Sequence, residues 1–268
     1  QAPTLLVARR IPFLKDDVAG LALGSLRCLL RAPETRLALM MPVIMIVVMG
    51  GPALMRLRRA ANQESIPFIV AAGLVLMLFL VAPMMSNAFG LDRGGFRALV
   101  LSPMSRSRII LGKNLAFIPI VLPLSSLVIV GATVFLHAGV SVFLMSVMQT
   151  LAGFALFATV SNYLAILAPY RYSMNRLKAK KPTVRALISG MASMVITPVI
   201  GAILMVPTLL QFLWDRFGLP AWVPLGVVAA LVLLGLAFWV YSALLRHQGR
   251  LLQHCELAIL HEVTTEMD

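Results

Sequence analysis

The chain has 268 residues, 60% of them hydrophobic, and a mean hydropathy of +0.94. Ordinary soluble domains are about 45–50% apolar, and several runs here approach the roughly 20 apolar residues that cross a bilayer, so a soluble globular class is excluded. The net charge of +13 would suggest nucleic acid in a soluble protein. Here the cations sit beside apolar runs in the positive-inside pattern, no aromatic-interleaved basic patch occurs, and no nucleic-acid partner is expected. Cys28 and Cys255 fall in segments expected in the cytoplasm, where disulfides are rare, and read as structural thiols. The chain begins with Gln1 and shows no signal peptide, so a fragment or a processed chain is expected. After a mixed tail, Asp16 and Asp17 are placed to cap a helix reaching Arg31, with Pro33 ending it. Val18, Leu21, Ala22, Ser25 and Leu29 give that helix an apolar or small stripe. Arg27 and Arg31 can snorkel to headgroups, which suits a lipid-lying anchor. The first span is predicted at 35–55, with Pro42 and Pro52 inside it, and the second at 66–87.

Residues 87–114, NAFGLDRGGFRALVLSPMSRSRIILGKN, carry Arg93, Arg97, Arg106, Arg108 and Lys113 against one acid, Asp92. A bilayer core does not accept that charge, so the stretch belongs in water or the headgroup layer. Asp92 is placed to cap a short helix over 94–101 with Phe96, Leu99 and Val100 on one side. Ser102 and Pro103 stop it. The stretch reads either as a basic loop on lipid or as a short helix presented to a soluble partner. Leu99 to Leu101, Ser102, Pro103, Ser105, Arg106, Ile109, Ile110, Leu111, Gly112 and Lys113 resemble the first intracellular loop of ABC-2-type permeases, the membrane halves of many ABC exporters. In that family a coupling helix leads into an "l-x-x-P-x-S-R-x-x-I-L-x-G-K" passage. The family often opens the loop as E-x-G-T; here the acid is Asp92 and the usual Thr is absent. The resemblance implies that Asp92, Arg93, Gly94, Gly95, Phe96 and Arg97 couple to a partner ABC ATPase. Phe96 is the expected anchor, because buried aromatics dominate such contacts. The N-terminal helix becomes, on this reading, an amphipathic connecting helix that also touches the ATPase.

The third span is predicted at 115–136 and ends in a tight His137-Ala138-Gly139 turn. The fourth, 141–168, is long enough to require tilt or a cytoplasmic extension. Within it Ser146, Gln149, Thr150, Gly153, Ser161 and Asn162 form a small or polar stripe. Such residues bond to neighbouring helices or line a transport path, and both readings stand. The connection 169–185 carries Arg171, Arg176, Lys178, Lys180, Lys181 and Arg185 and no acid. The fifth span is predicted at 186–206. Residues 207–223, PTLLQFLWDRFGLPAWV, hold too much charge for a full span and read as an interfacial loop or, by the resemblance, as a re-entrant hairpin. The sixth span is predicted at 224–245. The tail from Arg246 reads as a short cytoplasmic helix with Leu251, Leu252, Cys255 and Ile259 on one side. His247, His254 and His261 recur every seven residues, but without acid or thiol partners at ligand spacing no metal site is expected. With both ends inside, 19 of the 23 Lys and Arg are cytoplasmic, which predicts an N-in, C-in topology.

No acid lies in any predicted span, which argues against proton coupling. HExxH, CxxC, a channel filter and a membrane catalytic set are missing, and Gly112-Lys113-Asn114 is not a Walker A loop. The expectation is an all-α polytopic membrane protein with six transmembrane helices and a cytoplasmic coupling helix. Residues 1–34 form the tail and connecting helix, 35–245 the permease domain and 246–268 the C-terminal tail. By resemblance it is the permease subunit of an ABC exporter in a bacterial inner membrane. It is not itself an enzyme and holds no cofactor; ATP binds the partner ATPase. It pairs with a second permease half, as a homodimer or through a missing upstream half. A second class stays open: a non-transport scaffold or assembly subunit whose basic loops bind anionic lipid or a cytosolic partner.

Overall fold

The structure, a computed structural model, describes residues 15–31, 36, 40, 44, 48, 64–170, 184–220 and 223–264. In chain order these form α1 (Asp16–Arg31), α2 (Ile66–Met85), a 3-10 turn (Arg93–Gly95), α3 (Phe96–Leu101), α4 (Arg106–Leu136), α5 (Val140–Leu167), α6 (Val184–Arg216) and α7 (Leu225–Thr264). There is no strand among the described residues. Five helices, α2 and α4 to α7, are long and apolar enough to cross a membrane, the all-helical architecture of an integral membrane protein. The first predicted span, 35–55, lies outside the described residues apart from four isolated positions.

The expected turn at 137–139 is present. His137 takes a left-handed conformation, φ 55°, and reverses the chain between α4 and α5. Two expectations are corrected. The loop or re-entrant hairpin at 207–223 does not form, because α6 continues through the buried Pro207 to Arg216 as one 33-residue helix. A proline inside a membrane helix removes one backbone bond that packing and side chains offset. The end of α6 is fixed by side chains instead. Gln211 donates from Nε2 to Asp215 Oδ1 at 2.9 Å and accepts the Gly226 N–H at 2.7 Å, and Trp214 Nε1 donates to the Pro220 carbonyl at 3.1 Å. The tail is also not a separate helix, since α7 runs unbroken for 40 residues. No proline interrupts it, and its outer half keeps a buried stripe of Leu252, Ile259 and Val263.

The core gathers where α2, α4 and α5 meet, around Met77, Val81, Phe117, Val121, Ala152 and Ala158. Small residues on α5 let neighbouring backbones approach, which is how helices associate without a hydrophobic driving force. The most extensive helix pairing is α5 with α7, and α2 also packs on α6. Helix α1 buries Val18, Ala19, Ala22, Ser25 and Leu29 and packs along α4. Its sequence stripe therefore meets protein.

Candidate functional site

The charged stretch between α2 and α4 folds back onto the ends of four helices. Its first fixed point is Asn87. The side-chain amide donates to the Tyr170 carbonyl at 2.8 Å, and its oxygen accepts the Tyr170 N–H at 3.2 Å. That pair ties the loop to the residues that follow α5. Gly90 sits against both groups, and a Cβ there would collide with the Tyr170 carbonyl and the Asn87 amide. Only glycine fits.

Asp92 follows. It was expected to cap the short helix, and it does not. Its backbone carbonyl accepts the Gly95 N–H at 2.9 Å, while its carboxylate makes an ion pair with Lys113 on α4. The two side chains are only 12% and 7% exposed, so the pair is removed from water, and a carboxylate there needs a full positive partner more than a helix end needs a cap. The second oxygen, Oδ2, is buried without a partner. A cavity of about 20 Å³ beside the pair is lined by Ser25, Cys28, Leu91, Asp92, Lys113 and Phe117, among others. That is room for one water.

Helix α3 is only six residues long, too short to be stable alone. Phe96 roots it. The ring is 2% exposed and sits with Phe89, Ile109, Ile110, Ile166, Leu252, Ile259 and Val263, meeting Phe89 edge to face at 5.4 Å. Phe96 therefore faces inward and does not present its ring to a partner. An isolated turn of helix buries its largest apolar group against the nearest core, here supplied by α4, α5 and α7. Gly94, Gly95, Arg97, Ala98 and Leu101 are exposed, with Leu101 at 78%. The side chain of Arg93 lies outside the described residues.

Arg106 holds the other end. A short helix leaves its last carbonyls without partners, and the guanidinium collects them. Nη2 donates to the Val100 carbonyl at 2.9 Å and Nη1 to the Leu99 and Ser102 carbonyls at 3.3 Å. Nε donates to Glu256 on α7 at 2.7 Å. A planar fork with five donors does this; a lysine ammonium does not. Gly249 lets α7 approach closely, because a Cβ there would strike Ser107 at the start of α4. On the outer side of α4, Arg108 donates to Asp17 of α1 at 2.9 Å. Burial pushes the Asp17 carboxyl up, but the Arg108 and Val18 hydrogen bonds and the charges of Arg108 and Lys15 outweigh it and hold it below its ordinary value.

The polar stripe of α5 is buried throughout. Ser146 and Thr150 donate back to the Val142 and Ser146 carbonyls of their own helix. Gln149 donates across to the Leu204 carbonyl at 2.7 Å and to Thr208 at 3.1 Å on α6, while its own oxygen is buried without a partner. Asn162 donates to Gln248 Oε1 at 2.9 Å, and Gln248 donates to the Thr159 carbonyl at 2.8 Å. Asn114 donates to the Tyr241 hydroxyl at 2.9 Å. These bonds join α5 to α6 and α7, and α4 to α7.

Sequence reasoning did not single out Gln248 or Tyr241 and saw Arg106 only within a motif. Gln248 was legible: it precedes Leu252, Cys255 and Ile259 at four, seven and eleven residues, on the same helical face. Arg106 was not, because its charged partner, Glu256, comes from a helix 150 residues away and its carbonyl partners face it only once α3 has turned back on α4. The described residues contain no group of His, Cys, Asp and Glu that could hold a metal ion.

These features define a polytopic helical membrane protein whose charged inter-span loop is a built element, anchored at both ends. No protein-family profile, curated protein or solved structure matches the chain.

Proposed function

We propose that this chain is the membrane-spanning permease subunit of an ABC exporter, in which a partner ATPase drives substrate export through the loop before α4. The supporting observation is the mounting of α3. Its inner side is fixed by Phe96 to the ends of α5 and α7 and by Arg106 to α4 and Glu256, while Arg97, Ala98 and Leu101 stay uncovered. A force applied to the outer face is delivered to three spans at once, because packed elements move as units. The loop motif shared with ABC-2-type permeases supports the same reading. ATP binds and is hydrolysed on the partner, this chain making no bond and holding no cofactor, and a second permease half completes the path. The membrane is a bacterial inner membrane with both ends of the chain inside.

The test is co-expression with ATP-binding-cassette subunits from the chain's own genome, followed by pull-down and ATP-driven transport in vesicles. The wild-type chain retains the ATPase in detergent. The pair Arg97→Glu and Leu101→Ser releases it and stops transport while the elution profile stays that of a folded protein. A folded double variant with wild-type association and transport removes the coupling role from α3. Reproducible failure of any ATPase to associate with the wild-type chain favours a non-transport scaffold.

A further inference from the structure

Away from the ion pairs, the start of α2 and the end of α6 enclose a cavity of about 100 Å³. Its lining changes with depth. Glu64, Asp215 and Arg216 stand at the mouth, all exposed. Phe68 and Phe212 form the wall, their rings meeting edge to face at 5.6 Å. Thr208, two turns before Asp215 on α6 and so roughly 10 Å deeper, is 1% exposed and forms the floor. Among the described residues neither Glu64 nor Arg216 has an ion-pair partner, and Asp215 gives one oxygen, Oδ1, to Gln211.

The floor holds buried hydrogen-bonding capacity that the chain leaves unused. Thr150, Thr159 and Thr197 each donate to the carbonyl four residues back. Thr208 does not. Its oxygen accepts from Gln149 Nε2 at 3.1 Å, and the same amide bonds the Leu204 carbonyl at 2.7 Å. Among the described residues the Thr208 O–H has no acceptor, and the Gln149 side-chain oxygen is buried without a partner as well. Buried polar groups are ordinarily paired, so a hydroxyl left open at the bottom of a cavity points to a ligand. The mouth lies at the bilayer edge. Helix α2 has 20 residues, which at about 1.5 Å each match the roughly 30 Å hydrocarbon core. Glu64, just before it, therefore stands in the headgroup layer.

We propose that this cavity binds the headgroup of a zwitterionic phospholipid with a primary ammonium, of the phosphatidylethanolamine kind. Charge, depth and size select it. Two carboxylates and one guanidinium complement an ammonium beside a phosphate. The ammonium lies between Glu64 and Asp215, and Arg216 takes the phosphate, whose geometry its fork matches. A headgroup that is only anionic sets its phosphate against both carboxylates and brings no cation to offset them. From mouth to floor the lining runs from charge to aromatic wall to hydroxyl. A phospholipid offers its charges first and its ester carbonyls deeper, and Thr208 donates to an ester. Size disfavours choline. A cavity of about 150 Å³ holds a benzene ring; the space here is smaller, and a trimethylammonium has no N–H to give a carboxylate. The inference depends neither on transport nor on which side of the membrane this end faces.

The experiment is native mass spectrometry of the full chain released from detergent, with short-chain phosphatidylethanolamine, phosphatidylcholine or phosphatidylglycerol titrated in. The ethanolamine lipid is expected to bind at a concentration roughly tenfold below the other two, the difference that one charge-assisted hydrogen bond makes. The pair Glu64→Gln and Asp215→Asn should abolish that preference, and Thr208→Val should reduce it. Arg216→Gln should weaken the phospholipid and leave a long-chain alkylamine, which has no phosphate, unaffected. A folding defect lowers all three lipids alike and does not imitate a lost preference. Equal binding of the three lipids to the wild-type chain, or a preference retained by the Glu64 and Asp215 pair of substitutions, overturns the proposal. Displacement of the lipid by soluble phosphoethanolamine as readily as by the short-chain lipid assigns the cavity to a free aminophosphate and overturns it too. No ATPase is present, so these outcomes are independent of the transporter reading.

Discussion

Lys113 is a charged side chain eight residues into a membrane helix, and Asp92 is what makes it tolerable. Breaking a buried pair from one side leaves the other charge uncompensated, at a cost of about 3–5 kcal/mol. Lys113→Met is therefore expected to lower the thermal unfolding midpoint in detergent sharply. Combining it with Asp92→Asn should recover much of that loss, since two neutral groups need no partner. Gln149 sets a contrasting scale. Hydrogen bonds between membrane helices average about 0.6 kcal/mol, so Gln149→Leu should cost on the order of 1 kcal/mol or less in the same assay. Lost transport with folding intact would instead make Gln149 part of the substrate path. Lys113 was legible from sequence as a charge beside a span. Its partner was not, because Asp92 sits just ahead of a short helix and local rules assign it to capping. The competing claim of a buried ammonium 21 residues away is visible only once the loop has folded back.

At the scale of elements, α3 exists through what flanks it. Arg106 supplies its C-terminal partners and Phe96 its inner packing. Arg106→Lys keeps a positive charge near Glu256 but loses the fork that reaches the Leu99, Val100, Ser102 and Met104 carbonyls, so amide hydrogen exchange across 96–102 is expected to accelerate while the spans stay protected. Unchanged exchange there would show that Phe96 alone holds the helix. Helix α1 offers a pH-dependent counterpart. Its Asp17 carboxyl is held below its ordinary value in the folded chain. The tie to Arg108 is thus fully present above the ordinary carboxylate pKa of about 3.9 and is lost as pH falls through the lowered folded value. Cross-linking of α1 to α4 should be constant from neutral pH down to about pH 4 and decline below it. Asp17→Asn should remove that acid dependence. The sequence placed α1 and its buried stripe correctly because a 3.6-residue period is local information. Whether the stripe would face lipid or protein depended on α4.

At the scale of the molecule, the bundle has a polar end and an apolar body. The Asp92–Lys113, Arg106–Glu256, Arg108–Asp17 and Arg185–Glu262 pairs involve four of its helices, α1, α4, α6 and α7, and the loop, all at the end where α5 finishes and α6 begins. The turn between α6 and α7, with Gly218 at φ +65°, lies at the other ends of those two helices. The proposed N-in, C-in topology, which rests on the positive-inside rule, would put the polar end in the cytoplasm. A Gly218→Cys probe should then react with an impermeant thiol reagent added outside intact cells, and a Lys180→Cys probe only after lysis. Strong outside labelling at Lys180→Cys would reverse the orientation.

Apolar run length and charge by themselves determined the class of this protein. A span needs about 20 apolar residues, and cations resist translocation; both are properties of local composition. The helical cores of α2, α4 and α5, and the breaks at Pro103 and at His137 to Gly139, follow from the same local rules. Tertiary structure alone decided that α6 passes through Pro207, where Gln149 of α5 bonds the Leu204 carbonyl and the Thr208 hydroxyl on either side of it. It decided that α7 does not stop at the membrane edge, because the surface holding its outer half is built from the loop, α4 and α5. It also turned Phe96 inward. An aromatic on a short helix goes to whichever side removes it from water, and only the assembled ends of α4, α5 and α7 make the inner side that one.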